Sequence, residues 1–213
     1  MRRIAIFDMD GTLIDSGYDI TVSINHVREE HYGLEPLSVQ AVIDAINAHS
    51  RNLAEIFYLT PVYEERARQT FEAHYYEQCV QNVISYDGIK EILDFFAQSG
   101  ISMGVATNAP SIFARRMLGH LGLSRYFSHI VGADEVEMPK PHPQMLEKIL
   151  THHDYNPGTD YAWMIGDNSK DMEAAAEVGI VGIFAGWGFS SQGEGDYFAD
   201  HPKKLLRIIT ERI

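Results

Sequence analysis

The chain has 213 residues, 45% of them hydrophobic and 22% charged, enough to bury a full core in one domain with room for an inserted subdomain. A formal net charge of −13 disfavours a nucleic-acid backbone or an anionic membrane surface as the main partner, and a small anionic substrate would need local cations, from side chains or a bound metal. Cys79 is the single cysteine, which leaves no intrachain disulfide and no thiolate metal cluster, and suits a reducing compartment.

The N-terminus starts with the basic pair Arg2-Arg3, but the apolar run that follows meets an acid at Asp8, too soon for a secretory signal. No later stretch approaches the ~20 apolar residues of a membrane span, so the expectation is a soluble, cytoplasmic protein. Ile4-Ala5-Ile6-Phe7 is continuously apolar and ends at acids and a glycine, the pattern of a strand buried on both faces of a parallel sheet. From Ile20 to Cys79 only helical signals follow. Tyr63, Ala67, Phe71 and Tyr75 recur every four residues, while Pro36 with Ser38 and Thr60 with Pro61 resemble helix starts.

From Gly88 onward, helical patterns at 88–99, 111–121, 143–153 and 170–178 alternate with apolar strands at 102–107, 129–132, 161–165 and 180–184. Several of these helices stop at glycine: Gly100, Gly122 and Gly179. The glycine-rich piece from Gly186 to Gly195 reads as a surface loop. The alternation predicts an α/β, doubly wound parallel core over 1–15 and 86–213. A small all-helical insertion, 16–85, follows the first strand, hinged near Asp15-Ser16-Gly17 and Ser85-Tyr86-Asp87-Gly88.

Reactive groups of such a sheet gather at the carboxyl ends of its strands, and four predicted ends carry polar residues. At the first, Asp8 leaves the strand and Asp10 follows in a turn that Gly11 permits. One carboxylate there can attack phosphorus while a second donates a proton to the leaving group and later activates water; the same pair can also simply cap the next element. At the second, Thr107 and Asn108 offer hydrogen-bond donors suited to phosphate oxygens, or begin a turn before Pro110. At the third, Met138-Pro139-Lys140-Pro141-His142-Pro143 holds an ammonium on a loop stiffened by prolines. At the fourth, Gly166-Asp167-Asn168-Ser169-Lys170-Asp171 puts two carboxylates four residues apart and hence on one side, a hard-oxygen set suited to Mg²⁺ or a helix cap with acids in its first turn. Each bland alternative explains one end. None explains why nucleophile, phosphate donors, cation and metal ligands all fall at strand ends.

In order, Asp8-Met9-Asp10-Gly11-Thr12-Leu13-Ile14-Asp15-Ser16, Thr107-Asn108, Lys140 within Pro139-Lys140-Pro141, and Gly166-Asp167 with Asp171 resemble the four motifs of the haloacid dehalogenase-like hydrolase superfamily across nearly the whole chain. The helical insertion is similar to the small cap of the phosphoglycolate phosphatase and β-phosphoglucomutase branch. The resemblance implies a Rossmann-like core, Mg²⁺ and an aspartyl-phosphate intermediate. It implies that Asp8 is nucleophile and metal ligand, Asp10 general acid/base and a ligand through its main-chain carbonyl, Asp167 a metal ligand and Asp171 a support of the metal's outer shell. Thr107, Asn108 and Lys140 would hold the phosphate.

Asp10 favours phosphoryl transfer over dehalogenation, because an alkoxide leaving group needs a proton and a halide does not. Phosphonate hydrolysis through a cap lysine is discounted, since no lysine lies between Met1 and Ile89. The expected activity is hydrolysis of a small phosphorylated metabolite by a monomer or weak homodimer. A sugar-phosphate mutase is the alternative, and a non-catalytic binding protein on the same fold a remote one, opposed by the intact Asp8, Asp10, Lys140 and Asp167. The segment Asn47-Ala48-His49-Ser50-Arg51-Asn52-Leu53 departs from the glycine-rich loop common in phosphoglycolate phosphatases. Arg51 there is a candidate grip for a second anionic group of the substrate, or a solvated arginine at a helix start.

Overall fold

Six parallel strands carry the architecture, in the sheet order 129–131, 102–106, 3–7, 161–166, 181–185 and 197–199, in a computed structural model that describes residues 1–48 and 52–210. In chain order the elements are β1 (Arg3–Phe7), β2 (Ile14–Asp15), α1 (Gly17–Tyr32), α2 (Val39–Asn47), α3 (Leu53–Tyr58), α4 (Glu65–Gln78), β3 (Ile84–Ser85), α5 (Ile89–Gln98), β4 (Ser102–Ala106), α6 (Ser111–His120), β5 (His129–Val131), α7 (Gln144–His152), β6 (Tyr161–Gly166), α8 (Ser169–Glu177), β7 (Val181–Ala185), β8 (Tyr197–Ala199) and α9 (Lys204–Thr210). The chain divides into two compact units, Met1–Asp15 with Ser85–Ile213, and Ser16–Ile84.

In the sheet unit, successive residues of β1 face opposite sides. Ile4 and Ile6 join Met145, Leu146 and Ile149 of α7 in one buried cluster with Ala174 and Ala175 of α8. On the other face Phe7 meets Phe96 of α5 and Phe127, each with ring centroids 6.2 Å away. Each buried Ile, Leu, Met or Phe among them contributes roughly 1.5–3 kcal/mol, and strands covered on both faces have to be apolar throughout. At Gly104 in β4 an added Cβ would lie 2.7 Å from the Ile149 Cγ2 atom, so α7 lies almost against the sheet backbone. β1 runs between β4 and β6: the chain steps outward from β1 to β4 and β5, then crosses to β6 on the other side and steps outward again to β7 and β8; that reversal is the switch point where an open parallel sheet offers a crevice.

The helical unit is built on α1 to α4, with Ile24, Val27, Val42, Ala45, Phe57, Tyr58 and Ala67 as its core. Buried Asp19 near the start of α1 accepts hydrogen bonds from Gln78 Nε2 (2.7 Å), Asn82 Nδ2 (2.8 Å) and the Asn82 main-chain N–H (3.0 Å). Ser38 caps α2 by accepting from the Ala41 N–H at 3.2 Å. Thr60, expected to start a helix, instead closes one. Its N–H donates to the Ala54 carbonyl (3.4 Å) beyond Leu59, which ends α3 at φ 59°, and α4 begins only at Glu65. Tyr63 therefore precedes α4, and of the four-residue pattern Ala67 and Tyr75 are the buried members.

The strand pair β2 and β3, the edge strand β8 and the helix α9 were not anticipated from sequence. Among the described residues no helix is long and apolar enough to cross a membrane. Arg51 lies outside the described residues.

Candidate active site

β1, β4 and β6 deliver Asp8, Thr107 and Asp167 to one end of the sheet, each as the residue directly after its strand. The turn after β1 is closed by the Met9 carbonyl, which accepts from the N–H groups of Thr12 (3.2 Å), Leu13 (2.9 Å) and Ile14 (3.1 Å). Gly11 holds φ +79° there, and a Cβ on it would lie 2.4 Å from Asp167 Oδ2. Only glycine satisfies both the backbone angle and that approach.

Asp8, Asp167 and Asp171 place carboxylate oxygens within 4.8 Å of one another, and all three are buried. Asp10 is half-buried and stands outside this trio. Lys140, 4% exposed, bridges two of the acids: its Nζ donates to Asp8 Oδ1 at 2.8 Å and to Asp171 Oδ1 at 2.6 Å. The other oxygen of Asp171 accepts from the Asn168 N–H at 3.1 Å, and Asn168 in turn accepts from the Lys170 N–H at 3.1 Å, forming a capping box at the start of α8. Asp171 thus gives one carboxylate oxygen to the helix cap and the other to Lys140. Gly166 makes room for it, since a Cβ there would lie 2.2 Å from Asp171 Oδ2.

Asp167 Oδ1 accepts from Thr12 Oγ1 at 3.1 Å, and its Oδ2 accepts from the main-chain N–H groups of Phe189 (2.9 Å) and Ser190 (3.3 Å). These two amides come from the glycine-rich stretch that reads as a surface loop in the sequence. The segment is a half-buried to exposed loop, and some of its glycines also mark close packing. A Cβ on Gly186 would lie 2.3 Å from the Phe198 ring and one on Gly193 2.0 Å from the Phe184 ring.

Thr107 is buried, and its Oγ1 accepts from the Ala109 N–H at 3.1 Å; a hydroxyl that accepts one hydrogen bond keeps its proton to donate. Asn108 faces Lys140. Its Nδ2 donates to the Lys140 carbonyl (2.9 Å) and its Oδ1 accepts the Lys140 N–H (3.0 Å), so the side chain fixes the lysine loop. The second N–H of the side-chain amide and the main-chain amide are the donors this position could offer a phosphate. Tyr86, noted in the sequence only as part of a hinge, donates its N–H to the Leu13 carbonyl at 3.2 Å. Burial, then Asp15, Asp167 and Asp10, raise its phenol well above the ordinary value, keeping it a neutral donor.

The electrostatics are unbalanced. Burial and the neighbouring Asp8 and Asp171 raise the Asp167 carboxyl well above the usual range. Burial lifts Asp171 to about 7, with Asp8 adding to the shift and Lys140 opposing it. Burial alone would lower the Lys140 ammonium, but Asp171 and Asp8 override it and raise it. Ionising all three carboxylates against the one ammonium would leave the centre with a deficit of two positive charges. That deficit and an all-oxygen donor set fit a hard divalent cation such as Mg²⁺.

Comparison with known proteins points to one family. Residues 5–185 match the model of the haloacid dehalogenase-like hydrolase family. The chain is 30% identical over 213 residues to a phosphoglycolate phosphatase of Aquifex aeolicus, covering 99% of this chain and 98% of the relative. It is 29% identical over 216 residues to an N-acetylmuramic acid 6-phosphate phosphatase of Pseudomonas aeruginosa, covering 97% of this chain and 94% of the relative. Among solved structures, a subfamily IA hydrolase of the same superfamily from Geobacter sulfurreducens superposes with a TM-score of 0.74 at 25% identity, covering 98% of this chain and all of that one.

Proposed function

The chain belongs to the haloacid dehalogenase-like hydrolase family, and from that premise we propose that it hydrolyses a small phosphomonoester with Mg²⁺ through an aspartyl-phosphate on Asp8. Like the relatives it matches along nearly its full length, it is a phosphoric monoester hydrolase. The observation that carries the finer reading is the buried Asp8–Lys140–Asp171 bridge beside Asp167, three clustered carboxyl groups with a single ammonium among them.

Asp8, Asp167 and the main-chain carbonyl of Asp10 would hold the cation, with Asp171 supporting it. Bound there, Mg²⁺ supplies the positive charge that lets a phosphate dianion approach three acids. Asp8 attacks phosphorus as the ester P–O bond breaks, and the Asp10 carboxyl gives its proton to the departing alkoxide. Asp10, now a carboxylate, takes a proton from the water that attacks the acyl phosphate. The P–O bond to Asp8 breaks, phosphate leaves and both aspartates are restored. Lys140 and Thr107 offset the charge on the transferring phosphoryl oxygens, the main source of acceleration in such transfers.

The relatives' names favour hydrolysis over mutase chemistry. The substrates in those names, phosphoglycolate and N-acetylmuramic acid 6-phosphate, are both phosphomonoesters of carboxylic acids, and this chain acts on a substrate of that kind. A panel of metabolite phosphates containing both, read for inorganic phosphate and for sugar-phosphate isomers, tests the proposal. Mg²⁺-dependent phosphate release, strongest on an acid-bearing ester, is expected; isomer formation without phosphate would overturn it.

A further inference from the structure

Trp187 reaches back across the sheet end to a residue 175 positions earlier. Its indole Nε1–H donates to the Thr12 main-chain carbonyl at 2.9 Å. The hydroxyl of the same threonine donates to Asp167 Oδ1 at 3.1 Å. Thr12 is therefore gripped at both its main chain and its side chain, within the turn that carries Asp8 and Asp10. Next to Trp187, a Cβ on Gly188 would lie 1.7 Å from the Gly11 carbonyl oxygen and 2.7 Å from Asp167 Cβ. Two backbones touch there with no side chain between them. Phe189 and Ser190 then complete the strap by donating their N–H groups to Asp167 Oδ2.

We propose that Trp187 is a positioning residue for the metal centre, holding the Gly11–Thr12 turn and, through Thr12 and the 187–190 strap, fixing Asp167 against Asp8. The inference rests on the Mg²⁺-dependent phosphatase reading. Residues that orient carboxylate ligands contribute strongly to metal affinity, and a bound cation requires its oxygens at set positions. The strap hydrogen-bonds to Asp167 on the oxygen that Thr12 leaves open, so the carboxylate cannot rotate without losing partners on both.

Trp187→Phe keeps an aromatic ring and removes the indole donor. Gly188→Ala sets a methyl group against the Gly11 carbonyl. Mn²⁺ binding to the full chain without substrate, followed by electron paramagnetic resonance of the free ion, reports on the centre independently of turnover. The Mg²⁺ concentration for half-maximal phosphate release and the substrate KM at saturating Mg²⁺ complete the set. Trp187→Phe is expected to weaken Mn²⁺ binding about tenfold and to raise the Mg²⁺ requirement by a similar factor, with KM within about twofold of wild type. A merely structural role would lower the melting temperature and leave metal affinity alone. Circular dichroism identifies which of the two variants keeps the native fold, and that one is read; loss of fold in both overturns the positioning role. Unchanged Mn²⁺ affinity in a folded variant of an active wild type overturns it as well. A wild type that neither binds Mn²⁺ nor releases phosphate overturns the phosphatase reading, and the inference with it.

Discussion

Asn108 and Lys140 hold each other by a reciprocal pair of hydrogen bonds, side-chain amide to main-chain carbonyl at 2.9 Å and main-chain N–H to side-chain oxygen at 3.0 Å. This pairing aims the ammonium at Asp8 and Asp171. Asn108→Ala strips both partners from a part-buried main chain, at a cost of roughly 1–3 kcal/mol, and lets Lys140 drift. A fall in kcat/KM of about 10–100-fold is expected, as small misplacements of a reacting group produce. Asn108→Asp keeps the acceptor and should fall between the two. Steady-state kinetics with thermal melts check this; full activity in Asn108→Ala would show that the lysine loop orients itself.

Lys140→Met leaves three buried acids with no counter-charge. Removing one partner of a buried ion pair costs on the order of 3–5 kcal/mol, so the variant should unfold at lower urea than wild type in EDTA, and Mg²⁺ should recover much of the difference. Lys140→Arg should not restore activity, because a larger planar guanidinium must fit a buried site where a compact ammonium bridges Asp8 Oδ1 and Asp171 Oδ1. Urea titrations of both variants, with and without Mg²⁺, measure it.

Stability without metal should decline with rising pH. Asp171 titrates near 7 when folded and near 3.9 when unfolded, so the folded chain binds that proton more tightly. Its contribution is fully present below about pH 4 and is lost as pH rises through about 7. Asp167, raised in the same direction, adds to the decline. A divalent cation prefers the ionised acids and should flatten or reverse the slope. Melting temperatures from pH 5 to 8.5 in EDTA and in Mg²⁺ test this; parallel curves would mean that the cation does not bind the three acids.

Asp10→Asn removes the proton donor but spares Asp8. Esters with poor alkoxide leaving groups should slow by about 10²–10⁴-fold, and an aryl phosphate less, since its leaving group needs little protonation in the first step. Equal losses on both substrates would remove Asp10 from the acid role.

The strands were legible because a parallel sheet covered on both faces needs uninterrupted apolar runs, as in Ile4 to Phe7 and Tyr161 to Ile165. The acids at their ends stood out against those runs. Tyr197–Ala199 was not legible, being a three-residue strand on the sheet edge with too few residues for any period to emerge. The role of the Asn108 side chain was hidden for a different reason: its partner lies 32 positions away, and an Asn before a proline fits a turn equally well. The glycine-rich loop at 186–195 was legible as a loop, but its close packing was not, because a glycine that permits a turn and one that permits backbone contact look alike in sequence. Trp187 among those glycines was the available signal, as a large aromatic residue with a polar edge is rarely placed without a partner.

The account depends above all on Asp8 as the nucleophile. Phosphate release from phosphoglycolate and N-acetylmuramic acid 6-phosphate, measured with Mg²⁺ for wild type and Asp8→Asn, tests it most directly. Wild type should release phosphate only with the metal, and Asp8→Asn should lose at least about 10⁴-fold in kcat while circular dichroism shows the native fold. Turnover by Asp8→Asn near the wild-type rate would contradict the account.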